Sequence, residues 1–223
     1  MSDKIQILGL SEYYPAVILD ILTDLGYEDF TFFPNLEVSF SPYFPLKDYA
    51  YQIMGIEGKL DKKMAIVFGV SNPKNKYAVF KHFQKLHSLA LENLSTFIHN
   101  SSYFPYSSKM GKGVIIEQNC TLSSQTLLGD AISIKRGVTI GHHCKIGSWV
   151  DINPGVTISG KVNIGVGTMI GSGATLIDGI SIGNNTIIGA GSVVTKDIPS
   201  GVIAYGNPCK VIKYNDRWNL PIE

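Results

Sequence analysis

Five histidines occur in the 223 residues, at His82, His87, His99, His142 and His143, and two of them are adjacent. An imidazole titrates near neutrality, so it can take a proton from an attacking amine or hydroxyl. By itself an adjacent histidine pair reads as two solvated surface groups. Eighteen positions beyond His142, however, stands Gly160, and a glycine leaves its backbone N–H open to approach. Acyl transfer from a thioester needs such a couple, a base for the nucleophile's proton and a fixed donor for the oxyanion that forms. His142, His143 and Gly160 are therefore the candidate catalytic residues.

The interval of eighteen matters because the chain around it is periodic. Stepping by six from Met110 meets Ile116, Leu122, Leu128 and Ile134, and continues through Ile140 and Ile158 to Ile188 and Val194 without an insertion. The next position is often glycine (Gly129, Gly141, Gly147, Gly165), and the fourth after the aliphatic is small or β-branched (Val114, Thr126, Val138, Val150). A helix needs apolar residues at 3.6 and a half-buried strand at 2, so a period of six is neither alone. Three short strands, each followed by a turn, close a triangular coil of eighteen residues whose aliphatics point inward. Residues 110–199 then give about five coils of parallel β-helix, and His142 and Gly160 share one edge of the prism.

Ahead of the repeat the pattern changes. Ile5 to Leu8 and Phe30 to Phe33 read as strands flanking a helix over Ser11 to Leu25, with Val17, Ile18, Ile21 and Leu22 on one face. Met64 to Val70 reads as a buried strand, Tyr77 to Leu86 as a helix, and Leu94 to Ile98 as a short strand. Pro42 to Gly58 has no period and receives no element. Alternating strands and helices make a small Rossmann-like α/β domain over 1–100, with the β-helix over 101–223 and the boundary near His99 to Phe104. The tail from Tyr214 carries Trp218, placed to cap the open end of the solenoid.

Lysine and arginine total 19 against 18 acidic residues, a net charge of +1, so no nucleic-acid footprint is present. Three widely spaced cysteines, Cys120, Cys144 and Cys209, form neither a disulfide framework nor a metal knuckle, and no metal site is expected. Cys144, at the small inward hexad position, and Cys209 read as packed residues rather than nucleophiles. No signal-like segment or spanning apolar run occurs, which reads as a cytoplasmic protein without membrane insertion.

The run IGHHCKIGSWVDINPGVTISGKVNIG, with IGAGSVVTKDIPSGVIAYGNPCKVIK after it, resembles the hexapeptide-repeat sugar acyltransferases of the sialic-acid O-acetyltransferase and UDP-4-amino-sugar N-acetyltransferase type. The resemblance covers most of residues 98–213 and extends to the order of an α/β domain before the solenoid. It implies a left-handed coil, acetyl-CoA as co-substrate, a small sugar acceptor, and a homotrimer with sites between neighbouring solenoids. By the same matching His142 is the base and the Gly160 amide faces the acetyl carbonyl. Ser172 and Ala190 would line the pantetheine path through backbone groups. Pro208 belongs to the Gly206-Asn207-Pro208-Cys209-Lys210 ending, with Lys210 near the CoA phosphates.

The chain departs from that family at two places. Where the family carries Asp or Glu after the base stands His143, so Asp151, the nearest carboxylate in sequence, either orients His142 or is a solvated turn residue. The glycine-rich turn after the first strand is reduced to Gly9-Leu10-Ser11-Glu12, with Pro34 and Asn35 where acidic residues are usual. That turn is either a helix start capped at Ser11 or an altered acceptor site. Acetylation of an amino sugar, possibly nucleotide-linked, leads; O-acetylation of a sialic-acid-like sugar or other small alcohol, and a non-catalytic scaffold, are the alternatives.

Overall fold

The computed structural model describes residues 4–37, 43 and 45–222. The chain divides into two compact units, Met1–Ser71 with Asn75–Thr96, and Asn72–Lys74 with Phe97–Glu223.

The first unit is built on a four-stranded parallel sheet of β1 (Lys4–Leu8), β2 (Asp29–Phe33), β3 (Ala50–Ile53) and β4 (Ala65–Phe68), ordered β3-β2-β1-β4. Central β1 buries Ile5, Ile7 and Leu8 fully, as a parallel strand covered on both faces requires, and its buried Gln6 is satisfied by the Asp61 backbone. Helix α1 (Tyr14–Asp24) buries Ile18, Ile21 and Leu22 of the expected face together with Leu19, while Val17 is half-buried. It begins three residues later than expected. Pro15 supplies the fixed φ of a first turn, and Ser11 Oγ accepts the Tyr14 N–H at 3.3 Å from ahead of the helix. Gly26, at φ +88°, ends it in the left-handed region that glycine adopts without a Cβ penalty. Helix α2 (Pro73–His87) follows β4. The stretch given no element contains β3, whose residues are all exposed and therefore show no apolar alternation; Pro42 and Phe44 lie outside the described residues.

The second unit is the solenoid. Its two-residue strands stack into three parallel sheets with eighteen-residue register, as in Ile134↔Ile152, Ile140↔Ile158 and Ile146↔Ile164. The inward aliphatics form one column of core, and Ile134, Ile152 and Ile170 are fully buried. Each contributes about 1.5–3 kcal/mol relative to exposure. The coil is left-handed. Every hexad from Gly113 to Gly191 carries a positive φ at its fourth position, whether glycine (Gly137, Gly155) or not (Trp149 at +64°, Lys161 at +58°). The turn demands it, so asparagine and glycine recur there and other residues occupy it under strain.

The repeat reaches further back than Met110. Only Phe97–Ile98 of the expected Leu94 to Ile98 strand is paired as a strand, and it already pairs with Ile115–Ile116 as part of the coil. Ile98 and Phe104 pack against the solenoid core in the same six-residue step. At the other end the last coil is two residues short, because Ile198 bridges Ile182 and Ile203 pairs with Ile187. Strand Val202–Gly206 then turns into antiparallel Cys209–Tyr214, which closes one sheet edge. Trp218 does not cap the open end. Its indole Nε1 donates to the Gly167 carbonyl at 2.8 Å, and Leu220 is held by the Asn185 side chain, so the tail lies along a lateral edge. Gly167 and Asn185 are turn residues one coil apart, and the groove they leave suits an indole.

Candidate active site

His142 and His143 form the turn between strands Thr139–Ile140 and Lys145–Ile146. Both rings are solvent-exposed while the following Cys144 is fully buried. His143 has φ +58°, positive like that of every fourth-position residue, and its N–H donates to the Ser124 carbonyl at 3.0 Å. This backbone geometry turns its ring onto its neighbour: the two Nδ1 atoms are 2.9 Å apart, with the rings nearly perpendicular. One Nδ1 donates and the other accepts. With His143 accepting, His142 carries its proton on Nδ1 and presents Nε2 as a free lone pair. The His143 ring thus stands against His142 at the position where the resemblance leads one to expect a carboxylate.

Gly160 lies one coil on. The Lys161 N–H donates to the His142 carbonyl at 2.7 Å, fixing the two turns edge on edge. A Cβ on Gly160 would come within 2.8 Å of both Cε1 and Nε2 of His142 and 2.7 Å of Asp178 Oδ1. The absence of a side chain there is what admits the ring. Ser159 and Lys161 donate their N–H groups to carbonyls of adjacent coils, whereas among the described residues no carbonyl takes the Gly160 N–H. His142 Nε2 and Asp178 Oδ1 therefore both reach the space that a Gly160 side chain would fill, next to an amide that no carbonyl takes among the described residues. Asp178, which sequence reading passed over, is two coils from His142 and was visible only as one more multiple of eighteen.

The other candidates are placed elsewhere. Ser172 and Ala190 are exposed third-position residues on the edge after strands Met169–Ile170 and Ile187–Ile188, across the threonine-bearing sheet (Thr157, Thr175) from His142. Lys210 pairs with Tyr205, whose Cβ lies 2.6 Å from where a Gly189 Cβ would stand, so Ala190, Pro208 and Lys210 share one end of that edge. Asp151 is neither a partner of His142 nor a solvated turn residue. It is 1% exposed within a strand, its Oδ2 is 3.0 Å from Lys135 Nζ, and its Oδ1 has no partner. Its side chain leaves the sheet face, while His142 occupies a turn. Burial pushes the thiols of Cys120, Cys144 and Cys209 upward, keeping them protonated and poor nucleophiles.

In the α/β unit, Gly9 follows β1 at φ +82°, and a Cβ there would meet Val79 Cγ2 at 2.8 Å; one on Gly69, after β4, would meet the Gly9 carbonyl at 2.4 Å. Two glycines thus close against each other at the carboxyl ends of the adjacent strands β1 and β4, on the side where open parallel sheets take ligands. Beside them Tyr13 and Tyr43 pair with ring centroids 5.4 Å apart and both rings exposed. No set of three or more His, Cys, Asp or Glu able to hold a metal occurs among the described residues, and no helix there is long and apolar enough to cross a membrane.

Residues 161–196 match the family model described as bacterial transferase hexapeptide (six repeats). No curated protein matches the chain. Among solved structures it is similar to the acetyltransferase domain of PglB from Neisseria gonorrhoeae FA1090 in complex with acetyl coenzyme A. That likeness has TM-score 0.81 and 22% identity, over 95% of this chain and 100% of that one. A mutant of perosamine N-acetyltransferase from Caulobacter crescentus, in complex with CoA and GDP-perosamine, aligns at TM-score 0.77 and 21% identity, over 94% and 96%. WeeI from Acinetobacter baumannii AYE aligns at 0.73 and 20%, over 93% and 99%. Both units, in this order, are thus a shared architecture.

Proposed function

We propose that the chain is an acetyltransferase that moves the acetyl group of acetyl-CoA, a co-substrate, onto a small sugar, with His142 as general base. The observation that carries this reading is that His142 Nε2 lies 2.8 Å from where a Gly160 Cβ would stand, beside an amide that no carbonyl takes among the described residues. His142 takes the proton of the acceptor's amine or hydroxyl as it attacks, and the Gly160 N–H donates to the oxyanion that develops. His143 holds the ring in the productive tautomer. The fold shared with structures described as bound to acetyl coenzyme A or to CoA and GDP-perosamine supports the donor and the sugar class. An amino sugar, nucleotide-linked or free, is the preferred acceptor, with the exposed Tyr13 and Tyr43 rings as its stacking surface in place of the reduced glycine turn.

Ser172 and Ala190 line the pantetheine path, and Lys210 meets the CoA phosphates. Since they occupy a different edge from His142, one copy supplies the base and a neighbour the cofactor path, which fits a homotrimer with three interfacial sites. The test is thiol release from acetyl-CoA across amino sugars, nucleotide-linked amino sugars and sialic acids. Acceptor-dependent release that falls about 10²- to 10⁴-fold in His142→Ala is the expected result. Release untouched by that substitution would sink the mechanism.

A further inference from the structure

Along one other edge of the solenoid a third-position N–H is closed by the third-position side chain one coil on. Lys112 N–H donates to Asp130 Oδ1 at 2.7 Å, Asp130 N–H to Ser148 Oγ at 3.0 Å, and Asn184 N–H to Ser200 Oγ at 2.9 Å. Asp178 stands in that capping place with respect to Gly160, but its carboxylate is turned to another task. Its Oδ1 lies 2.7 Å from the point a Gly160 Cβ would occupy, and His142 Nε2 lies 2.8 Å from the same point. The two atoms are therefore no farther apart than those distances laid end to end, and one small group can touch both. Lys161 Nζ approaches the other oxygen, Oδ2, at 3.9 Å, with both side chains more than half exposed. Such a pair is weak and leaves Oδ1 available.

On the basis of the acetyl transfer proposed above, we infer that Asp178 selects the acceptor: Oδ1 receives the ammonium group of an amine and holds it against His142 Nε2. An ammonium has three donors and a charge to offer the carboxylate; a hydroxyl has one donor and none. The ammonium gives one proton to His142, which passes it to solvent. The nitrogen lone pair then attacks the thioester carbonyl carbon, the C–N bond forms and the C–S bond breaks. The nitrogen's second proton neutralises the leaving thiolate, so an amide, a thiol and one released proton balance the step. Gly160 makes the arrangement possible, since any side chain there would separate acid from base.

Asp178→Asn keeps the shape and removes the charge. In the thiol-release assay it should raise KM for amine acceptors about 10- to 100-fold, the loss of a charge-assisted hydrogen bond. KM for acetyl-CoA and the melting temperature should stay unchanged. Lys161→Gln, which removes the competing cation, should lower the amine KM. An amine KM in Asp178→Asn within about twofold of wild type, or a wild type that acetylates hydroxyl sugars and no amine, would overturn the assignment while His142-dependent thiol release left acetyl transfer standing. Failure of wild type to bind acetyl-CoA would remove both readings at once.

Discussion

The two units solve the problem of placing residues in opposite ways. In the solenoid, position in space follows from position in sequence: eighteen residues is one coil, so His142, Gly160 and Asp178 share an edge by arithmetic. In the α/β unit, neighbours are set by crossovers. Gly9 is apposed to Gly69, and Tyr13 pairs with Tyr43 at a tilt, at intervals that no period announces. A one-dimensional stack of near-identical units makes every interface local, whereas a parallel sheet spends long connections on each pairing.

The largest expected effect sharpens this contrast at the level of chemistry. His142→Ala should cost the proposed transfer about 10²- to 10⁴-fold in kcat/KM. Tyr13→Ala, in the other unit, should raise only the acceptor KM, by about two- to tenfold, the worth of one aromatic contact. Steady-state kinetics with the acceptor varied at saturating acetyl-CoA separates the two.

Core truncation comes next. Ile152→Ala, at a fully buried step of the column, should destabilise the solenoid by about 2–5 kcal/mol in urea unfolding. Finer still, Ile134→Val, Ile152→Val and Ile170→Val should each cost about 0.5–1.5 kcal/mol and agree among themselves, because their surroundings repeat. Ile5→Val, Ile18→Val and Ile66→Val, equally buried, should scatter, because theirs do not. Equal scatter in both sets would break the comparison.

The smallest effect is a pH dependence. Glu117 is 1% exposed, its Oε2 accepts the Arg136 N–H at 3.1 Å, and its Oε1 has no partner. Burial raises its carboxyl above the ordinary value of 4.5, an effect only partly offset by the Arg136 N–H and the nearby Lys135 and Arg136 charges. A carboxyl raised in the folded state favours folding below its unfolded value and loses that contribution as pH rises through the folded one. Glu117→Gln should therefore stabilise the fold at neutral pH by up to about 1 kcal/mol, with the gain vanishing toward pH 4. A gain that persists in acid would locate its origin in packing rather than charge.

Much of the solenoid was legible because its signal is repeated many times over. The strands from Met110 to Val194, the inward Cys144 and the His142–Gly160 edge all follow from one period. The hexads at Ile98 and Phe104 escaped because the first lies inside a stretch of strand-like residues and the second is aromatic rather than aliphatic. The α/β unit was read for elements and not for boundaries. Ser11 caps from outside the helix, and exposed β3 lacks the alternation that marks a half-buried strand. Asp151 and Trp218 were misplaced for a shared reason, since burial of an acid in an ion pair and docking of an indole on a lateral groove depend on partners far along the chain.

What the sequence determined by itself is the coil, its register and the meeting of a histidine with a glycine, because a strict period translates directly into an address on the prism. What only the tertiary structure decided is the direction in which side chains point: that His143 turns its Nδ1 to His142, and that Asp178 leans toward the Gly160 gap instead of capping its amide. Those orientations rest on a left-handed turn residue and a missing Cβ, and only stacked backbones bring such local facts to bear on one another.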